Sequence, residues 1–338
     1  MHLEVLLKFV AYYGSAWTEP PKNNIYVRPL VLWHGLGDSA SSPGMLDFME
    51  LIRGVHPGIF IHSVYIDEEN AKDQRAGFFG DIWDQLNVVN AQIRAIPELQ
   101  YGFDALGFSQ GGQFLRAYVE AYNDPPVANL ITFGSQHMGV SDLPACRPGD
   151  ALCYLVRIAA RQGVYSSYAQ SHLIQAQYFR DHARLPMYYA QNHFLTVING
   201  EVEETRNETF KKNLVSLANF VMVRFSQEKT VVPSESSWFG SFAPPDEEDD
   251  AELPWDEEKV LPLEQQPVYT EDWIGLRTLD ESARLTLLTC EGEHMQISKE
   301  CWLPIVTKYA GSPAPATLSA SPPPLYPSPG ISGLVVQV

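Results

Sequence analysis

The segment Gly107-Phe-Ser109-Gln-Gly111 carries the clearest chemical potential in the chain. A serine set among small residues can sit in a sharp strand-to-helix turn that lifts its hydroxyl clear of its neighbours, ready to attack a carbonyl carbon. That hydroxyl is a poor nucleophile until a histidine takes its proton and a carboxylate fixes the histidine's tautomer. The spacing of glycines is weak evidence alone. Here an apolar run, residues 103–106, precedes it and a helical pattern from about residue 111 to residue 122 follows, which is the context such a turn requires. With the order serine, acid, histidine, the histidine is expected just beyond the last strand, at His294 in Glu291-Gly-Glu-His294. His137, His172, His182 and His193 all fall in the long segment between. The first carboxylate after the run 220–225 is Glu228, the expected acid, with Glu235 as the alternative. Oxyanion stabilisation needs two backbone N–H donors, one after the serine and one after an early strand. Gln110 and Leu36, the latter in His34-Gly-Leu-Gly-Asp38, fill those places.

These residues need a scaffold, and the chain from Pro29 onward alternates short apolar runs with amphipathic ones. That alternation predicts an α/β fold with a mostly parallel central sheet flanked by helices, of the α/β-hydrolase type. Strands are expected at 29–33, 59–66, 103–106, 128–133, 220–225 and 285–289, and Ile82, Leu86, Val89 and Ile93 recur at helical spacing. Residues 134–219 are too long for an ordinary connection and are read as an inserted, mainly helical cap, with a helical pattern over 168–179. The hydrolase domain is expected to span 29–311, preceded by a segment 1–28 that reads as an irregular signal. Within it, 243–263 reads as an acidic surface insertion. Residues 312–338, with seven prolines, read as a tail that cannot bury enough surface to order itself.

Composition removes several classes. The 338 residues carry a formal charge of −18, and a nucleic-acid partner would need clustered Lys and Arg, of which there are 23 in all. Nine of the 41 acidic residues lie between Asp246 and Glu258, so much of the imbalance is one local run. No stretch reaches the roughly 20 apolar residues of a membrane-spanning helix. The four cysteines form two close pairs, Cys146 with Cys153 and Cys290 with Cys301, and none has metal-ligand spacing. Two local disulfides fit this pattern, with free buried thiols as the alternative. Asn207-Glu-Thr209 is a candidate glycosylation acceptor. No metal or cofactor is expected, and the chain is expected to act as a monomer.

Taken together the motifs resemble those of the lysosomal palmitoyl-protein thioesterases over about residues 29–311. The resemblance rests on Leu32-Trp-His-Gly-Leu-Gly-Asp38, Gly107-Phe-Ser-Gln-Gly-Gly-Gln-Phe-Leu-Arg116, Gln136-His-Met-Gly-Val140, Lys211-Lys-Asn-Leu214, Trp238-Phe-Gly240 and Glu291-Gly-Glu-His294. It implies hydrolysis of the thioester between a fatty acyl chain and cysteine, on S-acylated proteins or peptides in a lysosome or vacuole, by Ser109, His294 and the carboxylate at position 228. The family's usual residue at that position is Asp, and this chain has Glu. The resemblance further implies a Cys146–Cys153 disulfide and an apolar acyl groove built partly by 134–219. A carboxylester hydrolase of the same fold and a catalytically silent acyl-binding protein are the competing readings.

Overall fold

The computed structural model describes residues 27–142, 163–245 and 259–311. Its centre is a six-stranded sheet in the order β2-β1-β3-β4-β5-β8, with every neighbouring pair parallel. The strands are β1 (Leu30–Trp33), β2 (Ile61–Ser63), β3 (Phe103–Phe108), β4 (Val127–Phe133), β5 (Asn219–Phe225) and β8 (Leu285–Cys290). β1, β3 and β4 are buried at every position, so they read as mainly apolar runs because both faces are covered, interrupted by Asp104 in β3 and by Asn129 and Thr132 in β4. Period-two geometry then divides each strand between two cores. Leu30, Leu32, Leu106 and Ile131 face α1 (Pro43–Val55), while Val31, Trp33, Ala105 and Leu130 face α3 (Ile82–Ala95) and α4 (Gln110–Ala121). This is the expected α/β-hydrolase architecture.

The local differences from the sequence reading have physical causes. Only Ile61–Ser63 of the expected strand 59–66 is ladder. β2 is an edge strand, and beyond it side chains satisfy the backbone: Gln92 binds Tyr65, and Asp73 accepts from the Ile66 amide at 2.7 Å. The helical pattern over 168–179 is split into α5 (Ser167–His172) and α6 (Ile174–Gln177), after α2 (Asn70–Ala76) has passed into the turn that meets them. Leu173, at φ −116° and ψ 113°, breaks the helix and makes a β-bridge with Phe79. α7 (Glu208–Val215) follows, capped by the Asn207 side chain on the Thr209 amide.

The flanks of the acidic insertion are ordered. β6 (Ser241–Phe242) pairs antiparallel with β7 (Val260–Leu261), and Leu263 is buried, because these apolar residues gain more from packing than the acidic run between them could. The run itself, 246–258, lies outside the described residues, as do segment 1–26, the tail from 312 and the Cys146–Cys153 pair. Cys290 and Cys301 form a disulfide with Cα atoms 5.4 Å apart. It joins the end of β8 to the first turn of α8 (Lys299–Tyr309) and closes the loop that bears His294.

Candidate active site

Ser109 stands between β3 and α4 at φ 51°, a left-handed conformation that costs a serine on the order of 1–3 kcal/mol. Packing around it enforces the turn. A Cβ on Gly107 would strike the backbone of Gly111 and Gly112, and one on Gly111 would strike the carbonyls of Trp33 and His34. The glycines are therefore demanded by close approach of β3, α4 and the end of β1. The Ser109 amide is held by the Phe133 carbonyl at 2.8 Å.

The Oγ of Ser109 lies 3.1 Å from Nε2 of His294, and Nδ1 of His294 lies 2.6 Å from Oε2 of Glu228. The Glu228 side chain is fully enclosed, and its other oxygen accepts from the amides of Thr230 at 2.7 Å and Val231 at 3.1 Å. Burial pushes this carboxyl up, but the His294 bond and the two amides outweigh it and hold the group below the usual range. Glu235, the alternative acid, is engaged elsewhere, with Arg224 at 2.7 Å and Ser234 at 3.2 Å. Gly134 makes room for the imidazole: at φ 59°, its ideal Cβ would lie 3.1 Å from Cε1 of His294. Hydroxyl, imidazole and carboxylate so aligned can pass a proton off the serine and leave the resulting cation stabilised.

Leu36 borders the same pocket as Ser109, and Gln110 opens α4, where the first amides have no intrahelical partner. Gly35 packs against the serine, its ideal Cβ 3.3 Å from Cβ of Ser109. Two residues that the sequence reading passed over fix this loop. Buried His34 bonds the Gly35 carbonyl through Nδ1 at 3.0 Å and approaches Asp73 through Nε2 at 3.3 Å. Asp73 also accepts from the Ala40 amide at 2.9 Å, so one carboxylate ties the loop to α2. Burial raises the Asp73 carboxyl, yet His34 and the Ala40 and Ile66 amides bring it below its ordinary value.

The pocket over Ser109 has a volume of about 450 Å³. Met45 and Phe48 from α1, Phe108, Met295 and Ile297 give it an apolar wall, while Gln136, Val140, Asp142, Gln175 and Tyr178 come from the long segment after β4. Among the described residues the apolar lining comes from α1 and the His294 loop as well as from 134–219, which contributes Val140 and the Tyr178 ring. Phe179 and Phe194 are buried core and Met187 is exposed, and none of the three lines the pocket.

Behind the site α4 is tied to that segment by a buried polar network. Arg116 donates to Glu120 at 2.8 Å, to the carbonyls of Ile198 and His137 at 3.0 and 3.1 Å, and to Asn199 at 2.8 Å. Burial pushes the Glu120 carboxyl up to about 7 despite its arginine partner. His137, stacked on Phe239 at 5.0 Å, is held well below the ordinary histidine value by burial and by Arg116, so it belongs to this support and not to the relay. No group of residues that could hold a metal ion occurs among the described residues.

A parallel sheet with a strained serine at the β3–α4 turn and a histidine beyond the last strand defines an α/β-hydrolase. The comparisons narrow the class. Residues 29–294 match the family described as Palmitoyl protein thioesterase. The chain is 36% identical over 283 residues to "Palmitoyl-protein thioesterase 1" of Caenorhabditis elegans, covering 83% of this chain and 91% of that one. It is 33% identical over 267 residues to "Palmitoyl-protein thioesterase 3" of Dictyostelium discoideum, covering 79% and 85%. Identity to the human "Lysosomal thioesterase PPT2" is 26% over 276 residues, covering 80% and 82%. The chain belongs to the palmitoyl protein thioesterase family.

Proposed function

We propose that this protein hydrolyses the thioester joining a long fatty acyl chain to cysteine in S-acylated proteins or peptides. The observation that carries the reading is the Ser109–His294–Glu228 relay at the floor of a pocket walled by Met45, Phe48, Phe108, Met295 and Ile297. Ser109 Oγ attacks the carbonyl carbon as its proton passes to His294 Nε2, and the amides of Leu36 and Gln110 bind the oxyanion. Collapse breaks the carbon–sulfur bond, and His294 returns the proton to the leaving cysteine sulfur. Water, deprotonated by His294, then attacks the acyl carbonyl, the acyl–Oγ bond breaks, and His294 returns the proton to Ser109 Oγ as the fatty acid leaves. Glu228 holds the imidazole and stabilises its cation throughout. Residues 134–219 act as a cap on the pocket, and the chain works as a monomer.

Several relatives are named lysosomal, and a lysosomal or vacuolar location is proposed here too. Asn207 suits a glycan: it is exposed, and its cap on α7 uses the side-chain oxygen while glycosylation takes the nitrogen.

Turnover of matched palmitoyl thioester and palmitoyl oxygen-ester substrates tests the assignment, with a fluorophosphonate probe as control. A preference for the thioester and labelling abolished in Ser109→Ala are expected. Strong preference for the oxygen ester would make the protein a carboxylester hydrolase, and absence of labelling in folded wild type would leave only acyl binding.

A further inference from the structure

Two consecutive phenylalanines, Phe78 and Phe79, stand 40% and 51% exposed in the turn after α2, with Phe78 against Gly37, which lies between the pocket-lining residues Leu36 and Asp38. Their backbone is firmly held. Both amides donate to the Arg75 carbonyl, at 3.0 and 3.1 Å, and the Phe78 carbonyl accepts from Ile174 at 3.1 Å. Just before them, the Gly77 carbonyl accepts from the side-chain amides of Gln175 at 2.9 Å and Gln110 at 3.3 Å. Gln175 lines the pocket and Gln110 follows Ser109, so the Gly77 carbonyl ties this turn to the pocket, while neither phenylalanine ring lines it. The Phe78 ring lies 3.4 Å from the ideal Cβ position of Gly37, next to Leu36, which is itself 40% exposed and lines the pocket. A fixed turn that holds aromatic rings in water presents a contiguous apolar patch, and such patches mark surfaces with a partner.

Arg75 indicates which partner. Its guanidinium lies 5.3 Å over the Phe79 ring, is exposed, and joins none of the ion pairs seen among the described residues. A basic group beside exposed aromatics matches the boundary of a phospholipid bilayer, where phosphates lie above acyl chains. A second copy of the chain fits less well, because a two-fold contact through this patch would bring Arg75 toward its own counterpart.

We propose that Phe78, Phe79, Leu36 and Arg75 form a docking surface for a phospholipid bilayer, the rings entering the headgroup–acyl boundary and the guanidinium meeting lipid phosphate. The proposal rests on the thioesterase reading for its purpose: an S-acyl chain embedded in a membrane would enter a pocket whose mouth adjoins the dock.

Flotation with vesicles of phosphatidylcholine and phosphatidylserine tests it, using wild type, Phe78→Ser/Phe79→Ser and Arg75→Gln. Wild type is expected to float with the vesicles. The double variant should lose partitioning by at least about tenfold, since it removes two large apolar side chains from the lipid. Arg75→Gln should lose the preference for phosphatidylserine. Both variants should melt with wild type and turn over a water-soluble butyryl thioester at the wild-type rate, while the double variant slows about tenfold on a palmitoyl peptide held in vesicles. The proposal is overturned if wild type does not float, if the double variant floats equally well, or if light scattering shows a wild-type dimer that the double variant abolishes. Vesicle binding that depends on Phe78 and Phe79 in a protein cleaving neither thioester would uphold the dock and reject the functional reading.

Discussion

At the scale of the residue, the arrangement around Ser109 divides the work unequally. Glu228 is locked by Thr230, Val231 and His294 at once, so in the proposed reaction its task is to orient, and replacing its charge leaves shape intact while removing the preference for the productive tautomer. Glu228→Gln is expected to lower kcat by about 10³–10⁴-fold with KM little changed. Glu235→Gln, which touches Arg224 and not the relay, should stay within about threefold of wild type. Steady-state kinetics on a palmitoyl thioester decides between them, and equal losses in the two variants would contradict the assignment. That Ser109, Glu228 and His294 would meet was legible in the sequence because each sits next to a recognisable strand in a fixed order. Asp73 was not, since nothing along the chain announces that a carboxylate 33 residues after Ala40 will fold back to hold its amide.

At the scale of the element, α4 is both the platform for Ser109 and the anchor of the segment after β4, through Arg116. Removing one partner of a buried ion pair strands the other, whereas replacing both with apolar groups of similar size is close to neutral. Arg116→Met is therefore expected to cost about 3–5 kcal/mol in urea unfolding, and adding Glu120→Leu should recover most of that. Additive losses would refute the account. Gly112→Ala should also destabilise, by about 1–3 kcal/mol, because the new methyl meets Ser135 Oγ and the Thr132 side chain in a packed turn. The buried strands and the turn into α4 could be read from apolar runs and glycines. The apolar wall contributed by Met45 and Phe48 could not, because α1 follows ordinary helical periodicity and only the tertiary fold shows which of its residues reach the pocket. The break at Leu173 was hidden for a similar reason: its bridge to Phe79 overrides a sequence that reads as helix.

At the scale of the whole molecule, two buried carboxyls make stability depend on pH. Asp104 joins Arg28, Asn129 and the Gly311 amide, tying both ends of the described domain to β3, and burial raises it to about 6. Glu120 is raised to about 7. A carboxyl with a raised folded-state pKa gives its full contribution below the unfolded value and loses it as pH climbs through the folded one. Glu228 and Asp73 are lowered, so their contributions vanish only in stronger acid. Tm is thus expected to be higher near pH 5 than at pH 7.5. Asp104→Asn should flatten part of that slope, worth on the order of 3 kcal/mol, and a Tm that rises steadily to pH 8 would refute this. The covalent link between Cys290 and Cys301 has a practical consequence of its own. The bond encircles the loop that delivers His294, and such bonds persist only where the surroundings are oxidising. Protein made in a reducing cytosol would keep the sheet and Ser109, yet its histidine would hang from an untethered loop. The specific activity of a preparation then records its redox history, and glutathione treatment of correctly made protein should slow fluorophosphonate labelling well before the fold melts.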